Sequence, residues 1–405
     1  MKFLLSSCFV FLTFLAFTAF AQQRPEQDVA QKAAALAHST TIVDTHIDVP
    51  YRLYHAWEDL SKQTTGGDFD YPRAVAGGLD APFMSIYVPA EREGNGAKSL
   101  ADTLIDIVAQ IASTWPEKFA LARTPAEIDA NRRKGLLSLP MGMENGSPIE
   151  GDLSNIQHFY SRGIRYITLT HGRDNHISDS SYDTTHTWHG LSPFGREVVR
   201  EMNRVGIMVD ISHVTDDAFY DALEVTQAPL IASHSSCRAF TPGFERNMSD
   251  SMIVALAHNG GVIMINFGAS FLNGEYMQKE EIGRREVLDH LRSRGLRYRD
   301  KEAQEYIADY KKTHPLPIVT AAAVADHIDH VVALVGVDHV GIGSDFDGVG
   351  DSLPEGLKDV SGYPNLLAEL LRRGYSDEDI AKICSGNIFR VWNEVERIAG
   401  DLGKD

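Results

Sequence analysis

The pattern His46-x-Asp48, at the end of the stretch Thr41–Asp48, combines two side chains that could do chemistry together. Ile42 and Val43 are β-branched and suit a buried strand. Alternate residues of a strand project to the same side, so the imidazole and the carboxylate would point together. Both groups bind divalent metals, but a plain His–Asp pair explains so short a pattern equally well. The pattern becomes informative only if it recurs.

It does recur, because polar side chains stand at the carboxyl ends of six strand-like segments. These residues are His46, Asp48, Glu144, His171, His213, His234 and Asp345. A chance distribution would place such residues at both ends of the strands. Their position at one end therefore predicts a single shared site.

The elements that must position these residues alternate between apolar strands and amphipathic helical patterns. The predicted strands are Thr41–Asp48, Pro82–Val88, Gly135–Glu144, Gly163–His171, Gly206–His213, Leu230–His234, Gly261–Phe267 and His339–Asp345. This alternation indicates parallel strands that are buried on both faces. Eight βα units predict an α/β fold, a (β/α)8 TIM-type barrel with its active site at the carboxyl ends of the strands. A doubly wound open sheet is the alternative, but no Gly-x-Gly-x-x-Gly follows the first strand.

Two segments lie outside this alternation. The charged segment Glu275–His314 predicts a helical insertion between strands 7 and 8, on the rim of the barrel, and a functional lid is the less favoured interpretation. Near the carboxyl end, Tyr363–Arg373 and Asp377–Ile398 predict two further helices.

The first residues of the chain have the pattern of a signal peptide. Lys2 precedes the apolar run Phe3–Phe20, and Ala19-Phe20-Ala21 fits a small-x-small cleavage site. A retained membrane anchor is the alternative, but the residues from Gln22 onward are polar at once. We therefore expect a signal peptide over 1–21 and one exported barrel domain over 22–405, periplasmic or secreted, with no stable membrane anchor.

Composition narrows the classes of partner. The formal net charge is −18 at pH 7, which argues against nucleic acid and anionic membrane surfaces as partners and is compatible with cation binding. Cys237 and Cys384 would remain after loss of the leader, either joined in one disulfide or as two buried thiols. The oligomeric state stays open, a homodimer included.

Four imidazoles and three carboxylates on one face would suit a binuclear metal centre. Asp48 and Glu144 would offset part of the positive charge, and Glu144 has two oxygens with which to bridge two metals. A metal-bound water has a pKa of roughly 7 instead of about 15.7, so it yields a hydroxide nucleophile at neutral pH. Asp345 is then the spare carboxylate, suited to take the proton of the attacking water and pass it to a leaving group.

On these residues the chain resembles the membrane (renal) dipeptidase family of zinc peptidases, which have amidohydrolase-type barrels. The matching motifs run in order over nearly the whole chain: Asp44-Thr-His46-Ile-Asp48, Met143-Glu144-Asn145-Gly146, Leu169-Thr170-His171, Asp210-Ile-Ser-His213, Ser233-His234-Ser235-Ser236, Arg246-Asn247, Gly343-Ser-Asp345-Phe-Asp347-Gly348, Pro354-Glu355-Gly356-Leu357 and Gly386-Asn387. The resemblance implies a metallo-dipeptidase that hydrolyses dipeptides with two zinc ions per chain.

The resemblance also implies a role for each site residue. His46 and Asp48 would bind one zinc ion. His213 and His234 would bind the other, and Glu144 would bridge the two.

The same resemblance assigns three further residues to the substrate. His171 would stabilise the oxyanion, and Arg246 would hold the terminal carboxylate. Asp345 would be the proton shuttle that also faces the free amine.

Two departures from the family pattern bear on function. The lipid-anchor signal of animal members is absent, and Gly268 stands where the family often has a Tyr after Asn266-Phe267. A related amidohydrolase reaction on a lactone, a β-lactam or an N-acyl amino acid is an alternative. A non-catalytic barrel used as a binding protein is a second one.

Overall fold

The computed structural model describes residues 26–404, so the predicted leader over 1–21 lies outside the described residues. Within that range the strands are β1 (Ile42–Ile47), β2 (Leu79–Tyr87), β3 (Phe119–Leu121), β4 (Leu137–Leu139), β5 (Met141–Glu144), β6 (Ile164–Thr168), β7 (Met208–Asp210), β8 (Ile231–Ser235), β9 (Val262–Ile265) and β10 (Val340–Ile342). Eight of them form one sheet in the order β1-β2-β5-β6-β7-β8-β9-β10, in which neighbouring strands are parallel.

The sheet closes into a barrel where its last strand meets its first. The Asp345 N–H donates to the His46 carbonyl at 3.0 Å, and the Asp48 N–H donates to the Phe346 carbonyl at 2.9 Å. Every residue of β1, β5, β9 and β10 is buried, as expected for strands covered on both faces. The predicted (β/α)8 barrel is confirmed.

Helices surround the barrel. They are α1 (26–39), α2 (Val49–His55), α3 (Tyr71–Gly77), α4 (Ala97–Thr114), α5 (Pro125–Arg132), α6 (Ser154–Arg162), α7 (Pro193–Val205), α8 (Asp216–Val225), α9 (Asp250–His258), α10 (Ala269–Leu272), α11 (Gly274–Arg294), α12 (Lys301–Thr313), α13 (Ala321–Val335), α14 (Tyr363–Arg372), α15 (Asp377–Ala381) and α16 (Asn387–Leu402). Local chemistry sets several of their starts. Ser192, for example, accepts a hydrogen bond from the Gly195 N–H, and Pro193 occupies the first turn of α7.

An aromatic column fills the barrel interior. Trp392 of α16 lies 5.3 Å from Phe83, and Phe83 lies 5.6 Å from Tyr166 between ring centroids. Their interior cluster also contains Val43 and Ile231, which stand early in their strands. Helix α16 therefore forms the floor of the barrel, at the end opposite the carboxyl ends of the strands.

The segment after Asp48 begins with helix α2. The structure corrects two details of the sequence-based predictions. The predicted third strand, Gly135–Glu144, is two strands, and β4 leaves the barrel to pair with β3. The predicted helix Asp377–Ile398 is divided by a π-helical turn at Lys382–Gly386.

The predicted insertion between strands 7 and 8 is confirmed. The segment Glu275–His314 forms helices α11 and α12, an insertion between the last two barrel strands with a small core of its own around Val287 and Leu291. Cys237 and Cys384 are buried free thiols. No helix among residues 26–404 has the length and apolar character needed to cross a bilayer.

Candidate metal centre

The seven polar residues predicted from strand ends converge at the carboxyl end of the barrel. Glu144 ends β5, His46 lies in β1 and His234 in β8. His171, His213 and Asp345 follow β6, β7 and β10 by three residues each. Their convergence follows from the parallel sheet, because all carboxyl ends of its strands meet at one rim.

Glu144 is at the centre of this arrangement. Its Oε1 lies 2.9 Å from Nε2 of His213, 3.3 Å from Nε2 of His234 and 3.5 Å from Nε2 of His171. Its Oε2 lies 3.4 Å from Nε2 of His46. Burial alone would raise the pKa of Glu144, but the surrounding imidazoles hold that pKa well below its usual range.

The donor set fits divalent metal ions. Three groups have ligand atoms within 4.8 Å of one another: His46, Glu144 and His234; Glu144, His171 and His213; and His46, Asp48 and Asp345. Nε2 of His46, Oδ1 of Asp48 and Nδ1 of His213 are buried without a hydrogen-bond partner in the described part of the chain. Buried polar atoms without partners are rare, and a bound metal ion would supply the missing partner of Nε2 of His46 and of Oδ1 of Asp48.

Tyr166 fixes the tautomer of His46. The Tyr166 hydroxyl donates its one hydrogen to the Thr45 carbonyl at 3.0 Å, so it must accept from Nδ1 of His46, which lies 2.8 Å away. The lone pair of His46 is then on Nε2, which faces Glu144. The Tyr166 ring lies over Gly142, where any Cβ would overlap it.

A second relay orients His234. The Ser233 hydroxyl donates to Oδ2 of Asp210 at 2.6 Å and therefore accepts from Nδ1 of His234 at 2.7 Å. Asp210 is held in turn by the N–H groups of Ser212 and Ser233, at 3.1 and 2.8 Å. His234 thus also presents the lone pair of Nε2 to the centre.

Asp345 stands beside these ligands in the left-handed backbone region, with φ of 65°. The Asn266 side-chain amide donates to its Oδ2 at 2.8 Å. Burial, together with the nearby carboxylates of Asp48 and Glu144, raises the pKa of Asp345 to about 8, against a lowering by His46. Bound cations would lower this pKa. Burial and bound cations therefore act on the pKa of the Asp345 carboxyl in opposite directions.

Arg246 places a buried cation next to the cluster. Its Nη1 donates to the Ser235 hydroxyl and its Nη2 to the His234 carbonyl, both at 2.7 Å. Its Nε has no hydrogen-bond partner within residues 26–404, and the side chain is buried. An anion that reached the centre would find an unsatisfied guanidinium donor there.

Sequence reasoning missed the supporting residues Tyr166, Asp210, Ser233 and Asn266. Asp210 and Ser233 lie within motifs that carried the family resemblance, and their buried polar character next to ligands was the available signal. Tyr166 lies in mid-strand, where the sequence gives no sign that its hydroxyl reaches His46. Three further histidines of the loop after β6, His176, His186 and His189, belong to none of the ligand groups found among residues 26–404. Nδ1 of His176 instead lies 2.6 Å from Oε1 of Glu93.

Comparison with known proteins finds a family of similar sequences. A sequence model described as membrane dipeptidase (peptidase family M19) matches residues 30–404. Dipeptidase tcpJ of Claviceps purpurea is 35% identical over 341 residues, which cover 82% of this chain and 70% of that protein. Dipeptidase 3 of Rattus norvegicus is 29% identical over 377 residues, which cover 91% of this chain and 68% of that protein.

Two solved structures extend the comparison. The probable dipeptidase PvdM from Pseudomonas aeruginosa has a TM-score of 0.77 and 27% identity, and the match covers 92% of this chain and 99% of that one. A metallopeptidase from Rhodobacter sphaeroides, liganded with a phosphinate mimic of the dipeptide L-Ala-D-Ala, has a TM-score of 0.72 and 26% identity. The match covers 88% of this chain and 99% of that one.

The tautomer relay predicts a measurable effect of Tyr166. We expect Tyr166→Phe to weaken metal binding by about 10–100-fold, since His46 loses the acceptor that keeps its lone pair on Nε2. Competition of the purified protein with a graded series of chelators measures this affinity without any turnover assay. Tyr220→Phe, at a residue that is 44% exposed, is the control. Equal affinities for both variants and the native protein would contradict the relay.

Proposed function

The chain belongs to the membrane dipeptidase family of metallopeptidases, and on that premise we propose that it is an exported zinc dipeptidase with two zinc ions per chain. The family membership makes it a metallo-dipeptidase. The observation that supports a binuclear centre best is Glu144, whose two oxygens face different histidines. The dipeptide mimic bound by the Rhodobacter relative supports dipeptides as substrates.

The ligand groups support a division into two metal positions. His46 and Asp48 would hold one ion, and His213 and His234 the other, with Glu144 shared between them. Metal ions held by these residues would supply Lewis acidity, which lowers the pKa of a water molecule toward neutral. The mixed imidazole and carboxylate donors support zinc as the metal.

Asp345 is placed to move the proton. Asn266 occupies its Oδ2, so its Oδ1 remains to accept a proton from the attacking water and return it to the leaving amine. Gly348 keeps this side open, because a Cβ there would overlap Oδ1 of Asp345. Asp345 also offers a negative charge to the free amino group of a dipeptide.

His171 and Arg246 are placed to bind the two oxygen-bearing groups of the substrate. His171 is the most exposed of the four imidazoles, with 23% of its side chain accessible, so it can reach a developing oxyanion. Arg246 has a free donor for the terminal carboxylate. A substrate carbonyl bound by His171 would lie near Glu144, since Nε2 of His171 is 3.5 Å from Oε1 of Glu144.

Export is proposed from the leader pattern of residues 1–21. The test is expression in a Gram-negative host, followed by mass spectrometry of the exported protein. A mature chain that begins at Gln22 would support the proposal. A cytoplasmic chain that keeps its leader would contradict it.

The direct test is metal-dependent release of free amino acids from a panel of dipeptides. We expect the apo-protein to be inactive and zinc to restore turnover. Tripeptides, dipeptide amides, lactones and N-acyl amino acids serve as comparison substrates. Turnover of one of these classes, with no dipeptide hydrolysed by the metal-loaded protein, would replace the proposal with another amidohydrolase reaction.

Asp345→Asn separates proton transfer from metal binding. The amide keeps the shape of the carboxylate but cannot take a proton, so we expect kcat to fall by roughly 10²–10⁴-fold while both metals stay bound. Metal content and kinetics are measured on the same sample. Parallel loss of metal and activity would make Asp345 a ligand, and a near-normal kcat would remove it from the reaction.

A further inference from the structure

A large cavity lies between the barrel rim and the insertion helix α11, and Tyr182 of its lining stands next to His213 of the metal centre. Its volume is about 1080 Å³, and its lining includes Tyr182 and Phe244 from barrel loops with Tyr276, Met277 and Ile282 from α11. Sites for small molecules have volumes of about 300–1,000 Å³. The space therefore exceeds what the backbone of a dipeptide requires.

An aromatic wall joins this cavity to the centre. The Tyr182 ring lies 5.8 Å from the ring of His213 and 6.2 Å from that of Phe244, measured between centroids. Phe244 lies 5.6 Å from Phe271, and the Arg246 guanidinium lies 5.2 Å from the Phe271 ring. The aromatic wall thus contacts Arg246 through Phe271 and His213 through Tyr182. Tyr182 and Phe244 continue it into the cavity.

Tyr182 has an accessible face although it stands over a buried centre. It is 46% exposed, and it belongs to the cavity lining. Burial raises the pKa of the Tyr182 hydroxyl to about 12, against a lowering by Arg246. Tyr182 packs on Phe244, Phe244 on Phe271, and Phe271 on the Arg246 guanidinium, so Tyr182 lies on the Arg246 side of the centre.

We propose that Tyr182, Phe244 and the cavity under α11 bind the side chain of the substrate's carboxy-terminal residue, and that the enzyme favours large apolar or aromatic residues there. The inference rests on the proposed function, in which Arg246 holds the terminal carboxylate. The carboxylate and the side chain branch from one Cα, so the side chain must leave the centre next to Arg246. Phe271 lies against Arg246 at that position, and Phe244 and Tyr182 continue from Phe271 into the lining of the cavity.

The chemistry of the lining selects an apolar group. Tyr276, Met277 and Ile282 add apolar surface along α11, and aromatic side chains pack well against such walls. The basic and acidic side chains of the lining are of both signs: Lys279, Arg284, Lys311, Glu280, Glu281, Glu286 and Asp351. Mixed charges of this kind give no strong preference for either a cationic or an anionic side chain.

Pairs of dipeptides with the residue order exchanged test the inference on the full-length zinc-loaded enzyme. We expect kcat/KM for alanyl-phenylalanine to exceed that for alanyl-alanine by about 10-fold or more, the size of effect that an apolar pocket produces. Phenylalanyl-alanine should differ from alanyl-alanine much less. The amide of alanyl-phenylalanine, which lacks the carboxylate for Arg246, should lose most of the advantage.

Substitutions of the cavity residues test whether the cavity causes the preference for alanyl-phenylalanine. We expect Tyr182→Ala and Phe244→Ala each to lower the ratio of alanyl-phenylalanine to alanyl-alanine turnover by about 10-fold, mainly through KM. Tyr182→Phe keeps the ring and should keep the ratio. Tyr220→Ala, in α8 and outside the cavity lining, is the exposed aromatic control and should leave the ratio unchanged.

The outcomes separate this inference from the proposed function. Turnover of alanyl-alanine with a ratio that neither variant changes would overturn the inference and leave the dipeptidase activity in place. A preference that follows the amino-terminal residue would overturn it as well. If zinc-loaded enzyme hydrolyses no dipeptide, the proposed function fails, and the inference fails with it.

Discussion

The fold must compensate the charge of one buried carboxylate, that of Glu144. Glu144 has only 5% of its side chain exposed and faces four imidazoles within 3.5 Å. Removing an ionised group from water costs several kcal/mol unless partners compensate it. The closed parallel barrel meets this demand because it collects residues from several strand ends at one rim, where metal ions can share the carboxylate.

The residues behind the metal ligands determine which nitrogen atom each histidine offers to a metal ion. Tyr166 connects His46 to the aromatic column above α16, so packing at the floor of the barrel supports the geometry at its rim. Ser233 and Asp210 do the same for His234. His213, with φ of 71°, is held in a backbone conformation that costs about 1–2 kcal/mol for a residue with a Cβ. Such strain persists only where the surrounding structure enforces it.

Much of the fold and site could be predicted from sequence because the signals were local and repeated. The alternation of apolar strands and helices predicted the barrel. The polar residues at the strand ends, such as His46, Glu144 and His234, predicted its active end and the candidate ligands. The relays could not be predicted, because Tyr166 reaches His46 across 120 residues of chain and only the closed barrel brings them together. The break at Pro140 was missed although a proline within a strand is a local signal of interrupted pairing. The pairing of β4 with β3 was missed because tertiary packing decides it.

The most direct measurement is the metal content of Glu144→Gln beside that of the native protein, after identical loading with zinc and desalting. The amide has the same shape but no charge, so it cannot compensate two cations. We expect about two zinc ions per native chain and a marked loss from the variant, with unchanged circular dichroism showing that the barrel is intact. Full occupancy of both positions in Glu144→Gln would contradict the role of Glu144 as the shared anionic ligand.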